Sequence, residues 1–355
     1  MIQSVLSKIL LAPFSLLYGL GVSIRDALYR FGALKSVEFN LPLITVGNLS
    51  VGGTGKSPHI EHLVRMLKDY IFVAVLSRGY LRKTKGFLEV QQSSNAEEVG
   101  DEPLMFKRKF PDVLIGVAES RIFGVLELLK AGPKTQVVLL DDAFQHLSIR
   151  VGLSILLTDY SHPFTRDYLL PSGRLREWRS AYQRANIIVV SKCPPELDLA
   201  EKERFLKELN PLPTQKVFFS FYEYGRPYSL YDWRDQIDLD GRHDILLLSA
   251  IAGTEYLTTY LENRTASIRP LEFEDHHYFS NFDISQMKLI FDNMDGSKKI
   301  ILTTEKDAAR LELHKEYLLE NPLPIYIQPV QVAFHFGEGE AFDREVKEYL
   351  LGFRG

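Results

Sequence analysis

The sequence predicts an α/β protein with a mostly parallel sheet flanked by helices and a second, smaller α/β lobe. Short segments rich in Val, Ile and Leu alternate with segments of helical periodicity, the pattern of βαβ units. These apolar segments are nearly continuous, as expected for strands buried on both faces of a parallel sheet. A glycine-rich stretch directly follows the first strand and precedes a helix, which adds a phosphate-binding loop to the prediction.

The alternation also divides the chain. In the first run, strands are expected at Leu43–Val46, Phe72–Leu76, Val113–Val117, Val137–Leu140, Ser154–Leu157 and Ile187–Val190. The helices expected between them are Pro58–Lys68, Glu102–Phe110, Arg121–Lys130 and Leu199–Leu209. In the second run, strands are expected at Ile245–Ser249, Ile268–Phe273 and Ile300–Leu302, with helices at Thr254–Asn263, Ile284–Met294 and from Glu305.

A polar, aromatic stretch with Gly and Pro around Tyr222–Asp240 separates the two runs. We therefore predict three parts: an N-terminal helical segment at 1–35, a nucleotide-binding domain at 36–222, and a smaller C-terminal α/β domain at 223–355. A cleft is expected between the two lobes, because ligands commonly bind at domain interfaces.

Composition excludes several classes of site. The 355 residues carry a formal net charge of −4, so bulk charge does not favour a nucleic-acid partner. Cys193 is the only cysteine, which rules out an intramolecular disulfide framework and a zinc site built on cysteines. A hydrophobic fraction of 45% and a charged fraction of 25% are those of an ordinary globular protein.

An apolar stretch at 9–24, between Lys8 and Arg25, predicts an N-terminal helix. It is too short and too interrupted, by Pro13 among others, for a comfortable membrane span of about 20 apolar residues. No small-x-small cleavage site supports a signal peptide. The pattern favours an interfacial helix, with basic residues near lipid headgroups and apolar side chains in the acyl boundary. A helix packed on the protein's own core remains the alternative.

The glycine-rich stretch is a P-loop of the NTPase type. It runs Ser50, Val51, Gly52, Gly53, Thr54, Gly55, Lys56 and Ser57. Its glycines allow successive backbone N–H groups to face phosphate oxygens, and the following helix adds the partial positive charge of its N-terminus. We expect Lys56 to bridge the β- and γ-phosphates of ATP and the Ser57 hydroxyl to bind Mg²⁺. Ser50 stands where the common pattern has its first glycine, and a glycine-rich turn without a ligand is the alternative.

Acidic residues follow the strand expected at 137–140. Asp141 and Asp142 end an apolar strand, where a carboxylate of a P-loop protein helps to hold hydrated Mg²⁺. Asp101 and Glu102 begin a helix, and from local sequence alone capping of that helix is the favoured explanation. His276 is a single histidine without a local signature.

Several of these motifs, in this order, resemble the tetraacyldisaccharide 4′-kinase family of lipid A biosynthesis. The resemblance covers most of the chain. It is carried by the segments Val46–Pro58, Ser77–Tyr80, Gly100–Pro103, Asp141–His146, Leu169–Glu177, Phe273–His277 and Thr303–Asp307. Several motifs in the right order are far more specific than the phosphate loop alone.

The resemblance implies an ATP- and Mg²⁺-dependent transfer to the 4′-hydroxyl of a tetraacyldisaccharide 1-phosphate. Asp101 would accept the proton of that hydroxyl, with His276 from the other lobe completing the pair when the cleft closes. Lys56 and Arg176 would contact phosphoryl oxygens. The residues implied around the metal are Ser57, Glu102, Asp141 and Asp142. Further substrate contacts are implied for Arg78, Arg121, Gln145 and His146, and for the two arginines a solvated surface charge is the alternative.

A lipid substrate implies attachment to the membrane surface through the N-terminal helix, at the cytoplasmic face of the inner membrane, with no nucleic-acid or protein partner. A switch-type P-loop ATPase without an alcohol acceptor remains the main alternative, and a soluble small-molecule kinase is another. A GTPase is disfavoured because the only candidate for its base-reading motif is Ser191–Pro194, which ends in proline. A membrane scaffold without enzymatic activity would leave the phosphate loop without a role.

Overall fold

The computed structural model describes residues 2–354. The helices are α1 Ile2–Arg30, α2 Lys56–Leu67, α3 Ala96–Val99, α4 Asp101–Lys109, α5 Arg121–Ala131, α6 Leu199–Leu209, α7 Glu255–Glu262, α8 Asn281–Asp292, α9 Glu305–Leu311, α10 Lys315–Glu320 and α11 Gly339–Gly352. The strands are β1 Leu43–Asn48, β2 Val73–Ser77, β3 Leu88–Glu89, β4 Leu114–Val117, β5 Val137–Asp141, β6 Leu153–Asp159, β7 Ile187–Ser191, β8 Lys216–Tyr224, β9 Tyr228–Ser229, β10 Asp244–Ser249, β11 Ser267–Glu272, β12 Lys299–Thr304, β13 Ile325–Gln328 and β14 Val330–Phe334.

The chain folds into two compact units whose bounds differ from the predicted domains in two segments. Unit 1 comprises the residues up to Arg78, Val113–Tyr222 and the chain from Val332 onward, and unit 2 comprises Gly79–Asp112 and Glu223–Gln331. Residues 79–112 were expected in the first domain, and the last helix in the second. The alternation of strands and helices along the sequence did not predict either assignment, because it groups each segment with its neighbours in sequence.

Unit 1 contains a predominantly parallel sheet with the strand order β14-β8-β7-β6-β1-β5-β2-β4. Strands β1, β2, β5 and β7 are buried along their whole length, as their Val/Ile/Leu content predicts. In β1 and β5, which pair in parallel, Val46 lies opposite Asp141, and the N–H of Asp142 donates to the carbonyl of Val46. The residues that follow these two strands therefore lie at the same edge of the sheet.

Helix α1 packs along one face on a loop of unit 1. The Ser15 hydroxyl donates to the carbonyl of Leu169 at 3.0 Å, and the Trp178 indole N–H donates to Ser23 Oγ at 2.9 Å. Arg25 forms an ion pair with the buried carboxylate of Glu177. On this face α1 therefore packs on the protein itself, as the alternative to an interfacial helix expected.

The remaining surface of α1 exposes an apolar face. Its large exposed side chains include Leu10, Phe14, Leu16, Leu17, Leu20, Ile24 and Leu28. Within residues 2–354, no helix is both long enough and apolar enough to cross a membrane.

Unit 2 contains a five-stranded sheet with the order β11-β10-β12-β13-β9, in which only β9 is antiparallel to its neighbour. Ion pairs join α4 to the segment that begins with α9. Lys109 pairs with Glu305 and Arg108 pairs with Glu312, both at 2.6 Å. Helix α4 begins with Asp101, so this packing sets the position of that carboxylate.

The predicted mixed α/β fold with a mostly parallel sheet is confirmed. Every helix and strand predicted in the two runs is present, with ends that shift by a few residues. Among the elements that the sequence did not predict are β8, β13, β14 and α11, whose segments combine apolar residues with polar or aromatic ones. They are recognisable as strands and a helix only once their neighbours in the fold are known.

We predict that Gly124→Ala destabilises the protein. A Cβ at this position in α5 would lie 2.8 Å from both terminal methyl carbons of Leu76 and 2.9 Å from the Cβ of Ala118. Such overpacking typically costs about 1–3 kcal/mol. The measurement is the urea midpoint of unfolding. Gly21→Ala is the matched control, because its Cβ would meet nothing within 4 Å. Equal midpoints for the two variants would contradict the packing described for α5.

Candidate active site

The phosphate loop connects β1 to α2 and depends on two glycines in the left-handed region. Gly52 has φ 102° and Gly55 has φ 83°, values that side-chain-bearing residues rarely adopt. At Gly55 a Cβ would also lie 2.5 Å from the hydroxyl oxygen of Tyr222. Helix α2 then begins at Lys56, so its first N–H groups lie at the end of the loop. This is the arrangement that the glycine pattern predicted.

Buried polar side chains hold the carbonyl groups of the loop. The Ser191 hydroxyl donates to the carbonyl of Thr54 at 2.8 Å. The Nδ1 of His59 lies 2.7 Å from the carbonyl of Gly55, and its Nε2 lies 3.0 Å from the Ser220 hydroxyl. Burial lowers the pKa of His59 to about 4, so the ring is neutral at pH 7. Because a carbonyl only accepts, Nδ1 carries the proton and Nε2 accepts from Ser220.

A second segment runs beside the phosphate loop and carries Arg176. The N–H of Val51 donates to the carbonyl of Arg174 at 2.8 Å, and the N–H of Arg176 donates to the carbonyl of Leu49 at 2.7 Å. A β-bridge between Ser50 and Leu175 lies between these bonds. Backbone pairing therefore places Arg176 next to the loop, although the two segments are far apart in sequence.

Arg176, Lys56 and Asp142 form a charged cluster. The guanidinium of Arg176 donates to both carboxylate oxygens of Asp142, at 2.9 and 3.0 Å, and Lys56 Nζ lies 3.8 Å from one of them. Burial alone would raise the pKa of Asp142, but the charges of Lys56 and Arg176 outweigh it and hold the pKa well below its usual range. The cluster carries two positive charges against one carboxylate, which suits it to bind polyanionic phosphates.

Asp141 and Asp142 point in different directions, as adjacent residues at the end of a strand do. The Ser77 hydroxyl donates to Oδ2 of Asp141 at 2.9 Å, and the guanidinium of Arg121 donates to the Asp141 carbonyl at 2.7 Å. Arg121 is only 1% exposed and also donates to the carbonyl of Ala118, so the alternative of a solvated surface charge is wrong for it.

Three further residues implied as substrate contacts differ in their surroundings. Arg78 is exposed. Gln145 donates through Nε2 to the carbonyl of Asn48, where β1 ends. Burial, followed by the charge of Arg121, lowers the pKa of His146 to about 4, so this ring is neutral at pH 7.

In unit 2, Asp101 and His276 lie in direct contact. Nδ1 of His276 is 2.9 Å from Oδ2 of Asp101, and the carboxylate is 3% exposed. Both residues belong to unit 2, so the expectation that they lie on different lobes is wrong. The reason is that residues 79–112, which carry Asp101, fold with the C-terminal half of the chain. The Tyr80 ring packs against His276 with 4.9 Å between ring centroids.

The charges in this pair favour a carboxylate and a proton on His276. Burial would raise the pKa of Asp101, but the hydrogen bond from His276 and the charges of His276, Lys306 and Arg310 lower it to about 2. Burial would lower the pKa of His276, yet the contact with Asp101 raises it above its usual value. At neutral pH Asp101 is therefore ionised, and Nδ1–H of His276 donates to it.

The residues implied around the metal fall into both units. Ser57, Asp141 and Asp142 lie in unit 1, whereas Glu102 lies in unit 2, where it forms an ion pair with Lys306. Among residues 2–354, no cluster of three or more His, Cys, Asp or Glu side chains could hold a metal. Mg²⁺ in nucleotide sites needs only one or two protein oxygens besides phosphates and waters. The Ser57 hydroxyl and the carboxylates of Asp141 and Asp142 fit that requirement.

Comparison with known proteins decides the family. The model of the LpxK family, tetraacyldisaccharide-1-P 4′-kinase, matches residues 7–350. The chain belongs to this family. Among its relatives, the tetraacyldisaccharide 4′-kinase of Bacteroides fragilis is 42% identical over 348 residues, covering 96% of this chain and 92% of the relative. That of Flavobacterium johnsoniae is 42% identical over 350 residues, covering 98% of each chain.

A solved structure supports the same assignment. The crystal structure of LpxK from Aquifex aeolicus in complex with ATP matches with a TM-score of 0.73 and 28% identity, covering 97% of this chain and 99% of that one. The likeness extends over nearly the whole length of both chains. It also agrees with the P-loop fold predicted from the sequence.

Sequence reasoning named Lys56, Asp142 and Arg176 but missed the residues that hold the phosphate loop. His59 and Ser191 bind backbone carbonyls of the loop, Ser220 donates to His59, and the sequence carries no motif for such bonds. Lys306 lies in Thr303–Asp307, a segment that contributed to the family resemblance but had no assigned role. Its membership of that segment was the signal in the sequence. Only the structure places its charge close to Asp101 and Glu102.

We predict that Lys56→Ala weakens ATP binding to this kinase by about tenfold to hundredfold. A hydrogen bond to a charged group contributes about 1.5–3 kcal/mol, and the substitution removes one of the two cations beside Asp142. The measurement is the dissociation constant of ATP by calorimetry. Lys68→Ala is the matched control, because Lys68 is the C-cap of the same helix and forms an ion pair with the exposed Asp69. Unchanged ATP affinity in Lys56→Ala would contradict the role of the cluster.

Proposed function

We propose that the chain transfers the γ-phosphoryl group of ATP to the 4′-hydroxyl of a tetraacyldisaccharide 1-phosphate while attached to a membrane surface. Family membership supports the substrate and the reaction. Within this chain, the observation that best supports phosphoryl transfer to an alcohol is the buried contact between Asp101 and His276 at 2.9 Å. A nucleotide switch needs no such pair, whereas transfer to an alcohol needs a group that accepts the proton of the hydroxyl.

Unit 1 binds and neutralises the phosphates. The N–H groups at the start of α2 and the ammonium of Lys56 bind phosphate oxygens, and the fork of Arg176 faces the charge that develops on the transferred group. Asp142 forms ion pairs with both of these cations, which holds them beside the phosphate loop. Catalysis of phosphoryl transfer is mainly such positioning and electrostatic stabilisation.

Mg²⁺ would be held by the hydroxyl of Ser57 and by the carboxylate of Asp141 or Asp142. When bound, the ion neutralises charge on the phosphate oxygens. The hydrogen bond from Ser77 to Asp141 fixes the direction of that carboxylate, and Arg121 fixes its backbone. Glu102 accepts a hydrogen bond from Lys306 through one carboxylate oxygen, and it stays a proposed metal ligand.

Asp101 accepts the proton. The 4′-oxygen attacks the γ-phosphorus, the bond from phosphorus to the β–γ bridging oxygen breaks, ADP leaves, and the hydroxyl proton moves to Asp101. A carboxylate with a pKa of about 2 is a weak base. Before transfer its main task is therefore to accept a hydrogen bond from the hydroxyl and align it, and the proton moves late in the reaction. His276 holds the carboxylate in that orientation.

Helix α1 places the enzyme at its lipid substrate. Its exposed apolar face matches an interfacial helix, and the exposed Arg30 at its end suits a surface with anionic headgroups. ATP is a cytoplasmic substrate, so we place the enzyme on the cytoplasmic face of the inner membrane. Arg78, Gln145 and His146 remain proposed contacts to the substrate.

We predict Mg²⁺-dependent transfer of label from γ-labelled ATP to a tetraacyldisaccharide 1-phosphate in detergent micelles, abolished by EDTA. Asp101→Asn should lower kcat by about a hundredfold or more while ATP affinity stays within about twofold, because the residue acts on the hydroxyl. Asp112→Asn is the control, since this exposed carboxylate of the same unit should leave both values unchanged. ATP binding without transfer by the wild-type protein would favour the switch ATPase.

We predict that Leu17→Glu weakens binding to vesicles that contain anionic phospholipid by about tenfold or more. Leu17 is 67% exposed on α1, and full burial of a leucine contributes about 1.5–3 kcal/mol. Leu199→Glu is the matched control, because Leu199 is 65% exposed on α6. Cosedimentation measures the binding. Equal loss in both variants, or in neither, would contradict attachment through α1.

A further inference from the structure

Arg310, near the end of α9, is a fully buried arginine. It is 1% exposed, and a charged side chain at such a position must have its N–H groups bonded. Its guanidinium donates to the carboxylate of Asp307 at 2.8 Å, to the carbonyl of Ala250 at 3.0 Å and to the carbonyl of His277 at 3.0 Å. The last two acceptors lie in separate loops of unit 2.

These two loops are the ones that hold His276. The carbonyl of Ala250 accepts the N–H of His276 at 3.0 Å as well as a guanidinium N–H, and the carbonyl of His277 follows His276 directly. His276 has φ 61°, a left-handed conformation that residues with a Cβ rarely adopt. Such a backbone persists only where its surroundings fix it. Arg310 donates to the carbonyl that accepts the N–H of His276, and to the carbonyl of the residue that follows His276.

Asp307 holds the guanidinium in place. Its carboxylate is fully buried and also accepts the N–H of Ala250 at 3.1 Å and the hydroxyl of Thr304 at 2.7 Å. The Thr304 hydroxyl in turn accepts the N–H of Asp307 and caps α9. The position of Arg310 is therefore set by the capped helix α9, through a carboxylate that is also bonded to the loop of Ala250.

The same arginine faces Asp101. Its Nε lies 3.5 Å from Oδ2 of Asp101, the oxygen that receives the hydrogen bond from His276. Nε has no hydrogen-bond partner among the described residues, and its contact with this carboxylate is an ion pair. The buried guanidinium of Arg310 therefore contacts the backbone around His276 and also lies beside the carboxylate of Asp101, the partner of His276.

We propose that Arg310, held by Asp307, is a positioning residue for phosphoryl transfer that fixes His276 against Asp101. The inference rests on the proposed roles of Asp101 and His276. Arg310 acts through this pair and does not touch ATP. A planar fork is required, because one group must donate to three acceptors in different directions. The alternative is an ion pair that stabilises unit 2 without influence on the reaction.

A double-mutant cycle distinguishes the two. We expect Arg310→Gln to lower kcat by about tenfold to hundredfold, with KM for ATP within about twofold, because misplacement of the pair affects the acceptor step. In an Asp101→Asn background the same substitution should cost less than about threefold, since the pair on which Arg310 acts is already disabled. Equal losses in both backgrounds would overturn the proposal and indicate a structural ion pair.

Conservative variants keep the test decisive if Arg310→Gln does not fold. Arg310→Lys keeps the charge but loses the fork, so we expect a folded protein with kcat between those of the wild type and Arg310→Gln. Wild-type kcat in a folded Arg310→Lys would overturn the proposal. Arg269→Gln is the control, because Arg269 is exposed in the same unit. Failure of the proposed function is a separate result, in which the wild-type enzyme itself transfers no phosphate.

Discussion

The parallel pairing of β1 with β5 is the constraint on which the nucleotide site depends. Both strands are fully buried, and their register sets Val46 opposite Asp141, so the phosphate loop and the two aspartates emerge at one edge of the sheet. A slip of this register would separate Lys56 from Asp142, which now lie 3.8 Å apart. The fold therefore places a cationic loop beside a carboxylate, and the phosphate binding that we propose for unit 1 depends on that placement.

Both units position reactive side chains through buried polar groups that bind backbone carbonyls. In unit 1, His59 and Ser191 hold the phosphate loop, and in unit 2, Arg310 holds the backbone around His276. Helix α1 makes a bond of the same kind, because the Tyr18 hydroxyl donates to the backbone carbonyl of Arg176 at 2.9 Å. The helix that we propose to lie on the membrane thus contacts the segment that carries the arginine of the charged cluster. The reactive groups are supported by rigid elements, as positioning over tenths of an ångström requires.

The sequence predicted what depends on local pattern and missed what depends on the packing of distant segments. Strands β1, β2, β4–β7 and β10–β12, the phosphate loop and Asp141–Asp142 follow from apolar runs and glycine spacing. The position of Asp101 does not, because residues 79–112 leave the first unit and fold with the second, which no local pattern records. Arg176 reaches the loop through pairing of Val51 with Arg174, a contact across more than a hundred residues. Arg121 and Arg310 look like surface charges in sequence, and only their burial in the fold reveals what they bind.

The most direct test of this account is a crystal structure of the protein with Mg²⁺ and a non-hydrolysable ATP analogue. The account predicts the β- and γ-phosphates against the N–H groups that begin α2 and the ammonium of Lys56. It also predicts Mg²⁺ at about 2.1 Å from the Ser57 hydroxyl, with Asp141 or Asp142 beside it. Phosphates bound elsewhere, or an ion held away from both Ser57 and these aspartates, would contradict the central claim that the β1–β5 edge is the nucleotide site.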